Sequence, residues 1–149
     1  MIHYQQIEGY PDEFMLTIIW QLYQEVFETE RNKEDFFENV RLFPKLFTVL
    51  AFKEEQLIGY KMGYITKPGK EFYSWIGGVR NGFRRQGIAQ ELMQRQHEWC
   101  KRKGLNLIRT NTQNRWKEML ILNIRNGFDI VGTFTDEKGM TRILLEKKL

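Results

Sequence analysis

Cysteine occurs once in the 149 residues, at Cys100. That excludes a disulfide framework within the chain and makes a reducing, cytoplasmic setting the expectation. Histidine is almost as scarce, with His3 and His97 only, and no Cys/His group has zinc spacing. No metal cofactor is expected. The sequence also lacks any run approaching the roughly 18 apolar residues of a membrane span. Its opening, Met1-Ile2-His3-Tyr4-Gln5-Gln6, has neither the basic nor the apolar region of a signal peptide. Repeats and Pro/Gly/Ser-rich linkers are missing too, so residues 1–149 are expected to form one domain with a core large enough to need no staples.

What is present is uneven charge. Twenty-three Lys and Arg against nineteen Asp and Glu leave a formal +4. Glu25 to Asp35 is rich in acid, whereas Arg80 to Arg85 and Lys101 to Lys103 are basic. An anionic ligand for the basic region and a cationic one for the acidic region would explain this, and so would ordinary solvated surface charge. Arg80, Arg84, Arg85 and Arg102 have no interleaved aromatic signature of RNA binding, so nucleic acid is not an expected partner.

Periodicity predicts a mixed α/β (α+β) sheet domain. Tyr4 to Ile7 is a short strand. Pro11 to Phe27 is an amphipathic helix with Phe14, Ile18, Leu22 and Val26 as its apolar face. Asn32 to Leu42 is a second helix, burying Phe36, Phe37 and Val40 and stopped by Pro44. Strands at Leu46–Phe52, Leu57–Thr66 and Glu71–Val79 are joined by short polar turns, which implies antiparallel hairpins. The strongest helix signal is Gly87–Lys103, with Ile88, Leu92 and Trp99 facing the core and His97 at a polar position. A strand at Leu105–Thr112, a helix at Lys117–Asn126 and a hairpin of Phe128–Thr135 with Met140–Lys147 complete the order.

The chemistry is concentrated in Trp75-Ile76-Gly77-Gly78-Val79-Arg80-Asn81-Gly82-Phe83-Arg84-Arg85-Gln86-Gly87-Ile88-Ala89, where a strand feeds a Gly- and Arg-containing turn that opens a helix. A helix N-terminus presents unpaired N–H groups and about half a positive charge, an arrangement that binds phosphate. No Ser, Thr, Asp or Asn stands immediately before this helix, so a ligand can act as its cap. A tight turn with solvated arginines is the plainer alternative. Gly82 and Gly87 have Walker A spacing, but Ile88-Ala89 replaces the required Lys-Ser/Thr, and no Gly-x-Gly-x-x-Gly occurs.

The run Arg84-Arg85-Gln86-Gly87-Ile88-Ala89 resembles the acyl-CoA-binding motif of the GCN5-related N-acetyltransferase (GNAT) family, Gln/Arg-x-x-Gly-x-Gly/Ala. Leu122-Asn123-Ile124-Arg125-Asn126-Gly127-Phe128 resembles the second signature of that family, a helix running into Gly-Phe. The resemblance implies the acyl-CoA N-acyltransferase fold: a mixed, mostly antiparallel, splayed sheet of six or seven strands with about four helices. It also implies acetyl-CoA as cosubstrate, with pantetheine on the backbone of Gly78 and Val79 and diphosphate on the amides of Arg84, Arg85, Gln86, Gly87, Ile88 and Ala89. Arg85 stands where the motif most often has glycine. Asn111 and Asn114 are further candidates to hydrogen-bond the cofactor, or else surface-loop residues.

The implied reaction is attack of a neutral amine on a thioester. An amine of pKa about 10.4 is neutral in roughly one molecule in 10³ at pH 7, so a base is needed. Alternation places Glu71, Tyr73 and Trp75 on one face of the strand where the family often keeps its base. Glu71 is the candidate, with a solvated hairpin charge as the alternative. The family's frequent general acid, a tyrosine four residues before the Gly of Gly-Phe, is replaced by Asn123. Asparagine could hydrogen-bond the sulfur or pantetheine, or be structural. His3 and His97 are not expected to be catalysts, and Cys100 is expected to pack. Trp20, Tyr23, Phe27, Phe36 and Phe37 read as core, some of them available to an acceptor pocket between the first two helices and the central strands. Glu25, Glu28 and Glu30 would suit a cationic amine or form a solvated face. The expected acceptor is a small-molecule or peptide amine. A homodimer and a non-catalytic acyl-CoA-binding or regulatory module both stay open.

Overall fold

The computed structural model describes residues 1–29 and 31–149. Glu30, one of the acidic residues considered for an acceptor, lies outside the described residues. β1 (Ile2–Glu8) is followed by helices α1 (Glu13–Phe27) and α2 (Lys33–Leu42), then the meander β2 (Leu46–Lys53), β3 (Gln56–Lys67) and β4 (Glu71–Val79). Next come α3 (Ile88–Arg102), β5 (Leu107–Gln113), α4 (Lys117–Arg125) and the hairpin of β6 (Asp129–Thr135) with β7 (Thr141–Lys148). The order is the one that periodicity predicts, with element ends shifted by one or two residues.

Local chemistry explains the early boundaries. Asp12 caps α1 by accepting from the Met15 amide at 2.7 Å, and Asn32 caps α2 through the Asp35 amide at 2.8 Å. α2 ends at Phe43, which is extended (φ −76°, ψ 128°) because Pro44 disfavours a helical residue before it.

The seven strands form one sheet in the order β1-β2-β3-β4-β5-β7-β6. Every pairing is antiparallel except β4 with β5. One core lies between the sheet and α3, where Phe47 stacks on Trp99 at a ring separation of 4.0 Å. The other lies between the sheet and α1–α2, around Trp20, Phe36 and Tyr60.

The buried face of α1 differs from the expected one. Leu16, Ile19, Trp20, Leu22 and Tyr23 are buried, whereas Phe14 is 73% exposed and Ile18 and Val26 are only partly covered. A strict four-residue repeat overshoots a 3.6-residue turn and drifts across the helix, while the i, i+3, i+4, i+7 set from Leu16 stays on one side. His97 is likewise not at a polar surface position: it is 5% exposed beneath the sheet.

Two irregularities make the site. β4 and β5 pair in parallel only through Glu71–Leu107, Phe72–Ile108 and Tyr73–Arg109. Beyond them the Thr110 hydroxyl reaches the Ser74 carbonyl at 2.8 Å, and the strands then separate. On the other side of β4 the register shifts, with Gly63 opposite Ser74 but Met62 opposite Ile76. Trp75 is therefore a bulge residue, and both Trp75 and Ile76 turn toward the α1–α2 core.

Gly63 marks the closeness of this junction, since a Cβ there would lie 2.5 Å from the Tyr73 carbonyl oxygen and against the Phe72 ring. Gly63→Ala is expected to lower unfolding free energy by about 1–3 kcal/mol through overpacking, measured as a reduced urea midpoint at unchanged slope.

Candidate functional site

The phosphate-type turn is built as its sequence suggests. Gly82 (φ 95°) and Gly87 (φ 79°) occupy the left-handed region, and Gly87 is the N-cap of α3 with no side-chain cap. The first amide to find a backbone partner is Glu91, which donates to the Gly87 carbonyl at 3.0 Å. The amides from Arg84 to Gln90 make no backbone hydrogen bond among the described residues. A Cβ built on Gly87 would meet nothing within 4 Å, so the space over the helix end is open. Arg85 is also left-handed at φ 64°. This accounts for glycine being the commoner residue at that motif position, since a Cβ there is strained.

The arginines divide their work. Arg84 donates from Nε to the Val79 carbonyl at 3.2 Å, tying the turn to the end of β4. Arg80 is held by Glu25 at 2.5 Å and by the Leu57 carbonyl at 3.0 and 3.1 Å. Glu25 is thereby committed to this pair. Arg85 and Glu118 are 3.9 Å apart and both highly exposed, a pair that contributes little to stability. Gln86 is exposed, Ile88 buried and Ala89 partly buried.

From the turn, the free edge of β4 runs from Val79 back through Gly78 to the bulge at Trp75, facing the gap left by β5. Gly78 has a packing reason to be glycine, because a Cβ would press on Val26 of α1 at 3.1 Å. Asn123 is 4% exposed on α4, and its carbonyl accepts from the amides of Asn126 and Phe128. Asn114 is exposed beyond the end of β5.

Glu71 does not meet the expectation of a solvated hairpin charge. It is 7% exposed, accepts from the Thr66 hydroxyl at 2.6 Å, and faces Lys67 at 3.8 Å and Arg109 at 3.5 Å. It stands on the paired side of the β4–β5 junction, four residues before the bulge, with both oxygens engaged. Asn111, expected near the cofactor, donates to the Tyr73 hydroxyl and lies 3.5 Å from Arg142 through its oxygen.

Several buried polar groups lie on the α3 side of the sheet. The Ser74 hydroxyl donates to Gln96 Oε1 at 3.2 Å, leaving Gln96 Nε2 buried without a partner. His97 Nδ1 lies 3.0 Å from Lys147 Nζ. An ammonium has only donors, which assigns Nδ1 as acceptor and the ring proton to Nε2, also buried and unpartnered. Burial, reinforced by Lys147, Lys61 and Lys101, pushes the His97 pKa down to about 3, so it is neutral at pH 7. Lys61, opposite Gly77, is buried and lowered to about 8 by desolvation. Burial alone pushes the Cys100 thiol up to about 12, which suits packing and not nucleophilic attack.

On the opposite side of the sheet a cleft of about 870 Å³ opens between α1–α2 and the β6–β7 hairpin. Its helical side includes Tyr23, Asp35 and Glu38, and its hairpin side Lys138 and Arg142. Arg31 lies over the rings of Phe36 and Trp75, at 5.6 and 5.8 Å from their centroids. Of the aromatics expected to be core, Trp20, Phe36 and Phe37 are buried, and Tyr23 reaches both core and cleft. The Tyr73 pKa is raised, chiefly by burial. Among the described residues no helix is long and apolar enough to cross a membrane, and no group of three or more His, Cys, Asp or Glu could hold a metal.

The model of the acetyltransferase (GNAT) family matches residues 13–116. Similar solved structures include an aminoglycoside 6'-acetyltransferase type Ii, at TM-score 0.82 and 16% identity over 98% of this chain and 96% of that one. NAA60 of Arabidopsis thaliana, solved with a bisubstrate analogue, gives 0.80 and 16% over 100% and 99%. An IAA acetyltransferase from Bacillus cereus gives 0.79 and 18% over the whole of both chains. At these identities the likeness shows the fold. No protein of curated function matches the sequence.

The buried imidazole makes stability depend on pH. Its pKa is about 3 when folded and about 6.5 when unfolded. The unfolded chain binds a proton that the folded chain refuses as pH falls below about 6.5, so acid destabilises the fold with a slope near 1.4 kcal/mol per pH unit. Urea unfolding is expected to show about half of this slope at pH 6.5 and nearly all of it below about pH 5.5, and His97→Gln to flatten it. At the turn, Arg85→Gly is expected to raise unfolding free energy by about 0.5–1 kcal/mol, the relief of left-handed strain less the added chain entropy, read from the same denaturation curves.

Proposed function

The chain belongs to the GNAT acetyltransferase family, and from that premise we propose that it transfers the acetyl group of acetyl-CoA to a primary amine of a small molecule, a peptide N-terminus or a lysine by direct attack. The observation that carries this reading is a strand edge and a helix start that both lack backbone partners among the described residues. The free edge of β4 from Trp75 to Gly78 and the uncapped amides of Arg84 to Gln90 flank a short turn whose own groups are paired, Arg80 N to Ile58, Phe83 N to Arg80 and the Val79 carbonyl to Arg84 Nε. The half-buried groups of Trp75 to Gly78 require partners, and the exposed amides at the α3 start are open to an anion, so the two together suit an extended amide-bearing arm ending in a diphosphate.

In this reading Gly78 and Val79 pair with pantetheine in the manner of an added strand. The amides of Arg84, Arg85, Gln86, Gly87, Ile88 and Ala89 hold the diphosphate, aided by the α3 dipole. Arg85 supplies charge from an exposed position, and Asn114 lies at the outer rim. Acetyl-CoA supplies an activated acyl thioester. Asn123 is assigned a hydrogen bond to the sulfur end of the cofactor, with water as the proton source that the family's tyrosine would otherwise provide.

Proton removal from the amine is assigned to water held by Tyr73 and Asn111, not to Glu71, whose oxygens are taken by Thr66, Lys67 and Arg109. Tyr73 is the last residue before the strands part, and its hydroxyl already accepts from Asn111. A positive guanidinium at Arg31 favours the neutral amine, which lowers the cost of deprotonation. A cytoplasmic location belongs to the same reading, with Cys100 buried and reduced.

Calorimetric titration with acetyl-CoA, followed by thiol release over a panel of amines, tests the proposal. Binding with amine-dependent release is expected; binding without release across the panel would favour a regulatory acyl-CoA-binding module, and no binding would overturn the assignment. Gly87→Glu is expected to stay folded, since no atom lies within 4 Å of its Cβ, at a cost of about 1–2 kcal/mol for the left-handed backbone. Its acetyl-CoA affinity should fall by at least about a hundredfold, because several charge-assisted hydrogen bonds are lost together.

A further inference from the structure

Among the described residues, the lining of the acceptor-side cleft carries charges of both signs. Glu25 is engaged by Arg80 at 2.5 Å. The cleft of about 870 Å³ presents two carboxylates, Asp35 and Glu38, on its α2 wall, and two cations, Lys138 and Arg142, on its hairpin wall. Arg142 is satisfied by Asp136 at 2.9 Å. Arg31 and Lys138 have no ion-pair partner among the described residues.

Arg31 occupies the decisive position. Its guanidinium lies within 6 Å of the centroids of Phe36 and Trp75, and Trp75 is the bulge residue at which the β4–β5 gap opens. A cation is thereby stationed on the acceptor side, next to the place where the amine must meet the thioester. These distances are near the outer limit of cation–π attraction, and no carboxylate among the described residues engages the guanidinium, which leaves its N–H edge available for a second partner. A planar carboxylate matches that edge through two parallel charge-assisted hydrogen bonds. An acceptor with several positive charges would instead meet Arg31, Lys138 and Arg142 as it entered.

The geometry points to an acceptor that carries a carboxylate a few bonds from its reactive nitrogen, an amino-acid-like zwitterion held by Arg31. This rests on the acetyltransferase reading and narrows its substrate class. The same contact serves the chemistry, because the charge that binds the carboxylate also disfavours the ammonium form of the neighbouring nitrogen. Asp35 and Glu38 keep the cleft from being a general sink for anions and meet the opposite charge of the entering zwitterion. The nitrogen gains the acetyl carbon and loses one proton, the sulfur leaves with the bonding pair and gains one proton, and the carboxylate is unchanged.

The test is a comparison of matched pairs, each an α-amino acid and the amine that lacks its carboxylate, with kcat/KM followed by thiol release. The acid member is expected to be preferred by about tenfold or more, the size of one charge-assisted contact. Arg31→Ala should bring the ratio within each pair close to one, Arg31→Lys should restore part of it, and acetyl-CoA titration should still report binding by both variants. Equal or inverted preference in the native chain, a preference that survives Arg31→Ala, or turnover of neither member by a chain that binds acetyl-CoA would overturn this inference. Failure to bind acetyl-CoA at all would instead remove the acetyltransferase reading beneath it.

Discussion

The structure is organised around a sheet that stops pairing with itself. Beyond Tyr73 and Arg109 the parallel ladder between β4 and β5 ends, leaving one edge of β4 without partners in the middle of the sheet. An interior edge is costly, because its N–H and C=O groups are neither in a ladder nor fully in water. The chain tolerates it because β4 is held on the other side by β3 and because α3 and α1 cover its two faces. The Trp75 bulge is part of that solution: it turns two successive side chains, Trp75 and Ile76, into the α1–α2 core. Gly77 and Gly78 then carry the strand past Lys61 and Val26 without a Cβ.

The same constraint explains the α3 turn. A strand whose edge is open must hand the chain to its helix without closing over the gap, and the turn does so with left-handed residues at Gly82, Arg85 and Gly87. Two of the three are glycines, for which this conformation is inexpensive, and the third is an arginine, for which it is not. A helix begun from Gly87 gains no side-chain cap. Its uncapped amides and the open edge of β4 are therefore one feature produced by one local geometry.

Much of this was legible along the chain because it is local. Alternation in β2 to β4, the helical stripe of α3 and the glycine stops depend on neighbours within a few residues, and the element order followed from them. What was not legible depends on partners far away in sequence. Glu71 reads as a hairpin charge until Arg109 arrives from the parallel strand. His97 reads as a polar surface residue until Lys147, fifty positions later, closes over it at 3.0 Å. The α1 face was misread for a different reason: Phe14, Ile18, Leu22 and Val26 form an apolar series of their own, and only packing decides that Leu16, Ile19 and Tyr23 go inside. Simple alternation also runs straight through Trp75, since a bulge is a property of two strands and not of one.

The two faces of the gap carry opposite electrostatic arrangements. On the α3 side two titratable groups, His97 and Lys61, are buried and pushed toward neutrality, to about 3 and about 8, and the N–H donors of Gln96 Nε2 and His97 Nε2 have no acceptor among the described residues. On the cleft side the charges are open to water, and Asn111 links Tyr73 at the junction to Arg142 in the cleft. Strength of an electrostatic interaction rises as water is excluded. The buried side can therefore hold a dipole or a developing negative charge with little reorganisation, while the wet side can exchange acceptors and their protons with solvent. In the proposed acetyl transfer, a sheet with a split in it would let the cosubstrate and the acceptor approach from opposite faces and meet near the Trp75 bulge, with the fixed partner on the α3 side and the exchangeable one in the cleft.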